Sequence, residues 1–217
     1  QNRYGGTRFG RQELEGVLVE EAEGALWTQA MLEAARVDEV PVFNRVVVAV
    51  DPPVTSMKTS DECGIVVVAA DTRGEPKDWR AVVLEDASVK GATPEGWARA
   101  ALAAMERHGA DRLVAEVNQG GDLVERLVRM IDPLVPYRGV HATRSKMLRA
   151  EPVAALYEQG RVRHVRGLEE LEEQLCKMTA VGWQGLGSPD RLDALVWALT
   201  DLMLTPLHGG RPSVRSL

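Results

Sequence analysis

The spacing of apolar residues divides the chain into stretches of different period. Residues 45–50 (RVVVAV) form a nearly unbroken β-branched run, as expected of a strand buried on both faces. The run ends at Asp51, and Pro52 and Pro53 forbid its continuation. Similar runs at 64–71 (GIVVVAAD) and 79–86 (WRAVVLED), separated by the turn residues of DTRGEPKD, predict three strands in an antiparallel meander. Helical spacing takes over at 93–108, with Thr93 placed to cap, Pro94 at the first helical position and Gly109 at the end. A fourth strand is predicted at 112–117 (RLVAEV), then a helix at 121–131 and a short strand near YRGVHAT. A helix at 145–159, interrupted by Pro152, leads to a short extended piece at RVRHV and an acidic helix over 167–178. The last helix, 188–204, is predicted to have Ser188 as its cap and Pro189 at its first position. Its stripe of Leu192, Leu195, Val196, Leu199, Leu202 and Met203 faces a core.

Three strands, a helix, a strand, a helix, a strand and further helices is the element order of an α/β fold of the ribonuclease H-like kind. That fold is a mixed five-stranded sheet in spatial order 3-2-1-4-5, flanked by helices. Strands 1 and 4 then lie side by side and parallel, at the point where connections leave for opposite faces and open α/β sheets place their sites. Residues 43–205 are assigned to this domain. Residues 1–42 are set apart as an arm, with Leu26, Trp27, Ala30, Met31 and Ala34 at helical spacing, and 206–217 as a loose tail. The first residue is Gln rather than Met, so the chain is expected to be a piece of a longer protein.

In this topology Asp51 at the end of strand 1 and Glu116 at the end of strand 4 project from one sheet edge into one crevice. Adjacent carboxylates repel unless a cation lies between them. With no His or Cys nearby in sequence the ligands are hard oxygens, which favours Mg²⁺ or Mn²⁺ over zinc. Asp190 and Asp193, three apart on the last helix, offer a third and fourth acid. Three or four acids around a cation pair suit two-metal hydrolysis of a phosphodiester. Asn118 and Gln119, in the turn after strand 4, are placed to orient the metal water or a phosphate. Each residue also has a plainer reading: Asp51 as a turn residue before proline, Asp190 as a partner of the helix dipole. The weight lies in their conjunction.

Composition narrows the classes without changing this picture. With 217 residues and 45% hydrophobic content the chain can bury one substantial core. No run of about 20 apolar residues is present, so no membrane span is expected. Cys63 and Cys176, with no CxxC or Cys/His cluster, fit a reducing cytoplasm better than a disulfide framework. The net charge of −6 argues against a general nucleic-acid coat, yet charge is segregated: 11–39 is acidic and 138–166 basic.

Taken together, VVVAVDPP, DECGIVVVAAD, LVAEVNQGGD, RSKMLRAEPVAALYEQGRVRHV and SPDRLDALVWALTDL resemble the nuclease domain of the large terminase subunit. This is the DNA-packaging enzyme of tailed phages and related gene transfer agents. The resemblance covers about 45–204 and implies a metal-dependent endonuclease that cuts double-stranded, concatemeric DNA during packaging in the host cytoplasm. It carries the family's metal-binding acids to Asp51, Glu116 and Asp193. The segment YGGTRFGRQELEGVLVEEAEGALWTQAMLE is similar to the link between the family's ATPase motor and its nuclease, and no GxxxxGK[ST] loop is present. The implied partners are that motor in the same full-length protein, the portal and the small terminase subunit. Arg144, Lys146, Arg149, Arg161, Arg163 and Arg166 are then expected to contact DNA phosphates. A junction resolvase or exonuclease of the same superfamily remains open, as does a non-catalytic portal-docking module.

Overall fold

The computed structural model describes residues 22–53, 62–118 and 121–205. Gln119, the first 21 residues of the predicted arm and the 206–217 tail lie outside them. The predicted strand 1 is β1 (Arg45–Asp51), with its five inner residues buried. It pairs antiparallel with β2 (Glu62–Asp71), from Arg45 opposite Ala70 to Asp51 opposite Gly64. β3 (Arg80–Asp86) continues the meander, with a register shift at Val67/Val68. β5 (Arg112–Glu116) lies parallel to β1 on its other side, and β6 (Tyr137–Val140) parallel to β5. This is the expected 3-2-1-4-5 core.

Two further strands enlarge it. The RVRHV piece is β7 (Val162–His164), parallel to β3, so the main order is β6-β5-β1-β2-β3-β7. The two-residue β4 (Val89–Lys90) pairs with the start of β2. Three and two residues are too short to show a period of two, which is why five strands were expected.

Side-chain alternation sorts the sheet into two faces. Val46, Val48, Val50, Ile65, Val67 and Leu113 pack under α2 (Pro94–His108) and α3 (Gly121–Ile131). Val47, Ala49, Val66, Val68 and Val114 pack under the remaining helices. These are α1 (Gln29–Ala35), α4 (Lys146–Glu158), α5 (Glu169–Leu175) and α6 (Asp190–Leu199). After α5 a small hairpin, β8 (Met178–Thr179) and β9 (Gly182–Trp183), leads toward α6. No helix among the described residues is long and apolar enough to cross a membrane.

Three sequence expectations are corrected. α4 runs unbroken through Pro152, which sits on its exposed side, where water can satisfy the carbonyl that loses its N–H partner. α6 starts at Asp190, and Ser188 does not cap it. Instead the Gln174 side-chain carbonyl from α5 accepts from the backbone N–H groups of Arg191 (3.1 Å) and Leu192 (3.2 Å). The helix also widens into a single π turn at Thr200–Leu204. Finally, the segment read as an arm packs into the α6-side core from Leu26 to Ala35. Trp27 and Leu32 are fully buried, and Val37 N–H donates to His164 O at 2.8 Å. A buried chain of polar groups ties this segment to the sheet. Tyr157 Oη lies 2.6 Å from His164 Nε2, His164 Nδ1 lies 3.1 Å from Glu172 Oε1, and Arg36 donates to Glu172 Oε2 at 2.6 Å.

Candidate active site

Positions 47 and 49 of β1, 66 and 68 of β2, and 114 of β5 point to the α6 face, so Asp51, Gly64 and Glu116, in phase with them, share it. The pairing of Val50 with Ala115 sets Asp51 and Glu116 at the same level of neighbouring parallel strands. Pro52, lacking an N–H, ends the ladder there. α6 crosses this face with Asp190 and Asp193 in its first turn, Asp193 buried at 1% exposure.

The first turn is fixed from three sides. A β-carbon on Gly64 would stand 1.9 Å from the Asp190 carbonyl oxygen, so only glycine lets the helix end come this near the strand. Gln174 caps the free N–H groups from above. The buried Arg191 guanidinium pairs with Glu62 Oε1 at 2.7 Å and with Asp86 and Glu170, joining the turn to β2, β3 and α5. None of these three residues was singled out from sequence. The one local signal was Gly64 inside a β-branched strand, which marks a close approach.

The electrostatics follow from crowding acids in a dry place. Burial, with the charges of Asp193, Glu116 and Asp190, pushes the Asp51 carboxyl well above the usual aspartate range. Burial also raises Asp193, against the pull of Lys146 and Arg149, and raises Asp190, against a hydrogen bond from Ser188. The Glu116 carboxylate is held by three donors: Asn118 Nδ2 at 2.7 Å, Trp197 Nε1 at 2.7 Å and Arg149 Nη1 at 3.1 Å. Asn118 is itself set by accepting from Ala142 N–H at 2.8 Å.

The basic residues do not form one face. Arg144 is exposed just before α4. Lys146 and Arg149 turn inward: Lys146 Nζ bonds Asp193 Oδ2 and reaches Ser188 Oγ at 3.0 Å. Arg149 lies 3.3 Å from Asp193 Oδ1 and stacks 4.7 Å from the Trp197 ring centre. Arg161, at the start of β7, donates to Trp79 O at 3.0 Å. Arg163 donates to Ala34 O at 3.0 Å, and Arg166 pairs with Asp38 at 2.9 Å. β7 is an edge strand, separated from β1 and β5 by β2 and β3, so these last three are not brought to the acids. The run changes element between α4 and β7, which its charge alone does not reveal.

Among the described residues no three His, Cys, Asp or Glu side chains stand ready-made as a metal cage. Two protein cations occupy the space between the acids instead. The donor chemistry still fits a hard divalent ion. All the acids offer carboxylate oxygen, Asp51 is raised by burial and then by its like-charged neighbours, and Asp193 Oδ1 is a buried acceptor with no hydrogen-bond partner, Arg149 being near but misaligned.

A mixed 3-2-1-4-5 sheet with acids at the β1/β5 switch point defines a ribonuclease H-like protein. Residues 48–202 match the family model described as terminase RNaseH-like domain, and the chain belongs to that family. Solved structures agree in fold. The nuclease domain of the large terminase subunit gp2 of bacterial virus Sf6 superposes with a TM-score of 0.62 at 17% identity, covering 81% of this chain and 98% of that one. The human cytomegalovirus terminase nuclease domain gives 0.59 at 16% identity, covering 82% and 96%. The large terminase nuclease of thermophilic phage G20c, solved with bound magnesium, gives 0.57 at 17% identity, covering 82% and 98%. No curated protein sequence matches the chain.

Proposed function

We propose that this chain is a divalent-metal-dependent endonuclease that hydrolyses phosphodiester bonds of double-stranded DNA during genome packaging. The observation that carries the reading is the convergence of Asp51, Glu116 and Asp193 at one sheet edge, in a member of the terminase family. Asp51, Glu116 and Asp193 would hold the metal, with Asp190 as a fourth ligand. Relatives solved with magnesium and with manganese support Mg²⁺ or Mn²⁺. When bound, a pair of such ions supplies an activated water and charge for the leaving oxygen.

The remaining work belongs to the chain. Asn118 and Trp197 fix the Glu116 carboxylate, so its oxygens need not reorganise on binding. Lys146 and Arg149 neutralise the acids while no metal is present; Lys146 holds Asp193 Oδ2 and leaves Oδ1 as the oxygen to serve as a ligand. Burial of Asp193 at the start of α6 strengthens its charge interactions with Lys146 and Arg149. By family, concatemeric DNA in the host cytoplasm is the substrate. An ATPase motor of the same full-length protein, the portal and the small terminase subunit are the partners.

Supercoiled plasmid incubated with the protein and Mn²⁺, Mg²⁺ or EDTA tests the reading. Nicked and linear products with either metal, none with EDTA, and none from Asp51→Asn, Glu116→Gln or Asp193→Asn are expected. Cleavage by all three variants at the wild-type rate would overturn it.

A further inference from the structure

The face that holds the acids carries an opposite charge at its far end. Asp201, buried in the π turn after α6, is met by Arg138 Nη1 at 2.5 Å, Arg112 Nη1 at 3.4 Å and Arg45 Nη2 at 3.5 Å. These arginines come from β6, β5 and β1. One carboxylate shared by three guanidiniums leaves two positive charges in excess, and guanidinium cannot shed its proton to relieve it. Asp111, the neighbour of Arg112, accepts from the backbone N–H of Val46 at 2.7 Å, whereas the ion pairs of the three arginines all go to Asp201. Arg45 Nη1 is buried with no acceptor, while the Arg112 and Arg138 side chains are each 40% exposed. Beside them lies a cleft of about 300 Å³, lined by Arg138, His141, Trp197, Thr200 and Thr205.

We infer that Arg112 and Arg138 form a phosphate-binding subsite for the DNA backbone, which the cleft leads to the acid cluster. The inference rests on the nuclease reading and extends it. Arg138 pairs with Val114 and Val140 with Glu116, so Arg138 stands two strand residues from the level of Glu116 along β6, while Arg112 stands four residues before Glu116 on β5. These separations are about 7 Å and about 13 Å, roughly two and four phosphate steps along a duplex axis. Trp197 lines the cleft and donates to Glu116, so this side chain links the cleft wall to the acid cluster. Phosphate contacts fix the register of the duplex without reading its sequence.

The test is binding of a labelled mixed-sequence duplex in EDTA, where no cleavage occurs, followed by anisotropy from low to moderate salt. The double variant Arg112→Gln/Arg138→Gln should bind more weakly, with a log affinity against log salt slope shallower by about 1.8, at about 0.9 per phosphate contact. Arg138→Gln alone should lose about half of that. Arg112→Lys/Arg138→Lys, which keeps both charges, should retain the slope. Arg99→Gln/Arg107→Gln removes the same charge from α2 on the other face and should leave the slope unchanged. An unchanged slope in the Gln pair at unchanged melting temperature, or an equal loss in the α2 pair, would make the cluster a structural staple only. Absence of any duplex binding by the wild-type protein in EDTA at low salt would overturn the subsite, whereas the nuclease reading stands or falls on plasmid cleavage with metal.

Discussion

Trp197 donates its indole N–H to Glu116 Oε2 at 2.7 Å, and Arg149, stacked on the same ring, donates to the same oxygen at 3.1 Å. The tryptophan thus orients both a carboxylate and the cation that balances it. Trp197→Phe keeps a ring for Arg149 and removes only the hydrogen bond. Loss of such an orienting partner lowers metal affinity or activity by about 10–100-fold. We expect a fall of that size in plasmid cleavage, with the melting temperature nearly unchanged. Wild-type cleavage by Trp197→Phe would show that Glu116 is held well enough by its other donors.

Gly64→Ala should be more severe. Its β-carbon would fall 1.9 Å from the Asp190 carbonyl oxygen and 2.3 Å from the carbonyl carbon, both backbone atoms that no rotamer change can move. The end of α6 must lift, taking Asp190 and Asp193 away from Asp51. We expect a folded protein that binds Mn²⁺ weakly in calorimetric titration and cleaves poorly. Unchanged Mn²⁺ affinity would mean that the helix end yields without moving its acids.

Arg191→Met leaves Glu62 and Asp86 without their shared cation; Glu62 keeps Lys90 at 3.7 Å and a hydrogen bond from Gln174 Nε2 at 3.1 Å, while Asp86 stays buried without a cation. Removing one member of a buried ion pair costs about 3–5 kcal/mol, because the charge left behind remains buried. Urea unfolding should show a loss in that range. A loss under about 1 kcal/mol would place the network among solvated surface pairs.

The acids also set a pH dependence. The folded chain raises the Asp51 carboxyl well above its ordinary value of 3.8, so it keeps a proton that the unfolded chain has already lost. This contribution is fully present below about pH 4 and disappears as the pH climbs through the raised folded value. Other carboxylates, such as Glu172, shift the opposite way, so the comparison must be internal. Without metal, Asp51→Asn should gain stability relative to wild type as pH rises. Divalent ions, which compete with that proton, should stabilise wild type more at higher pH. A relative stability that falls with pH would mean that the Asp51 carboxyl is not raised.

The parts of the site legible in the sequence were those written in local pattern. A β-branched run stopped by Asp51 and two prolines, an acid closing LVAEV, and Asp190 and Asp193 ahead of an apolar stripe each sit beside the residues that explain them. What was missed is written across distance. The cap of α6 comes from Gln174, and the partners of Arg191 come from β2, β3 and α5. Lys146 and Arg149 share a helical face by their spacing, but only the packing of α4 against α6 turns that face onto the acids. β7 was too short to read, and Pro152 was overruled because its side of the helix meets water.

The contact of Gly64 with the end of α6 has a consequence for folding. Slipping β2 by one residue against β1 would send Gly64 to the opposite face and bring Cys63 or Ile65 beneath the Asp190 carbonyl. Either side chain would block the helix from seating. Only a correctly paired sheet can accept α6, and only a seated α6 brings Asp193 to Asp51. The crevice thereby proofreads the strands that build it, so a misregistered chain is kept from carrying an assembled set of acids.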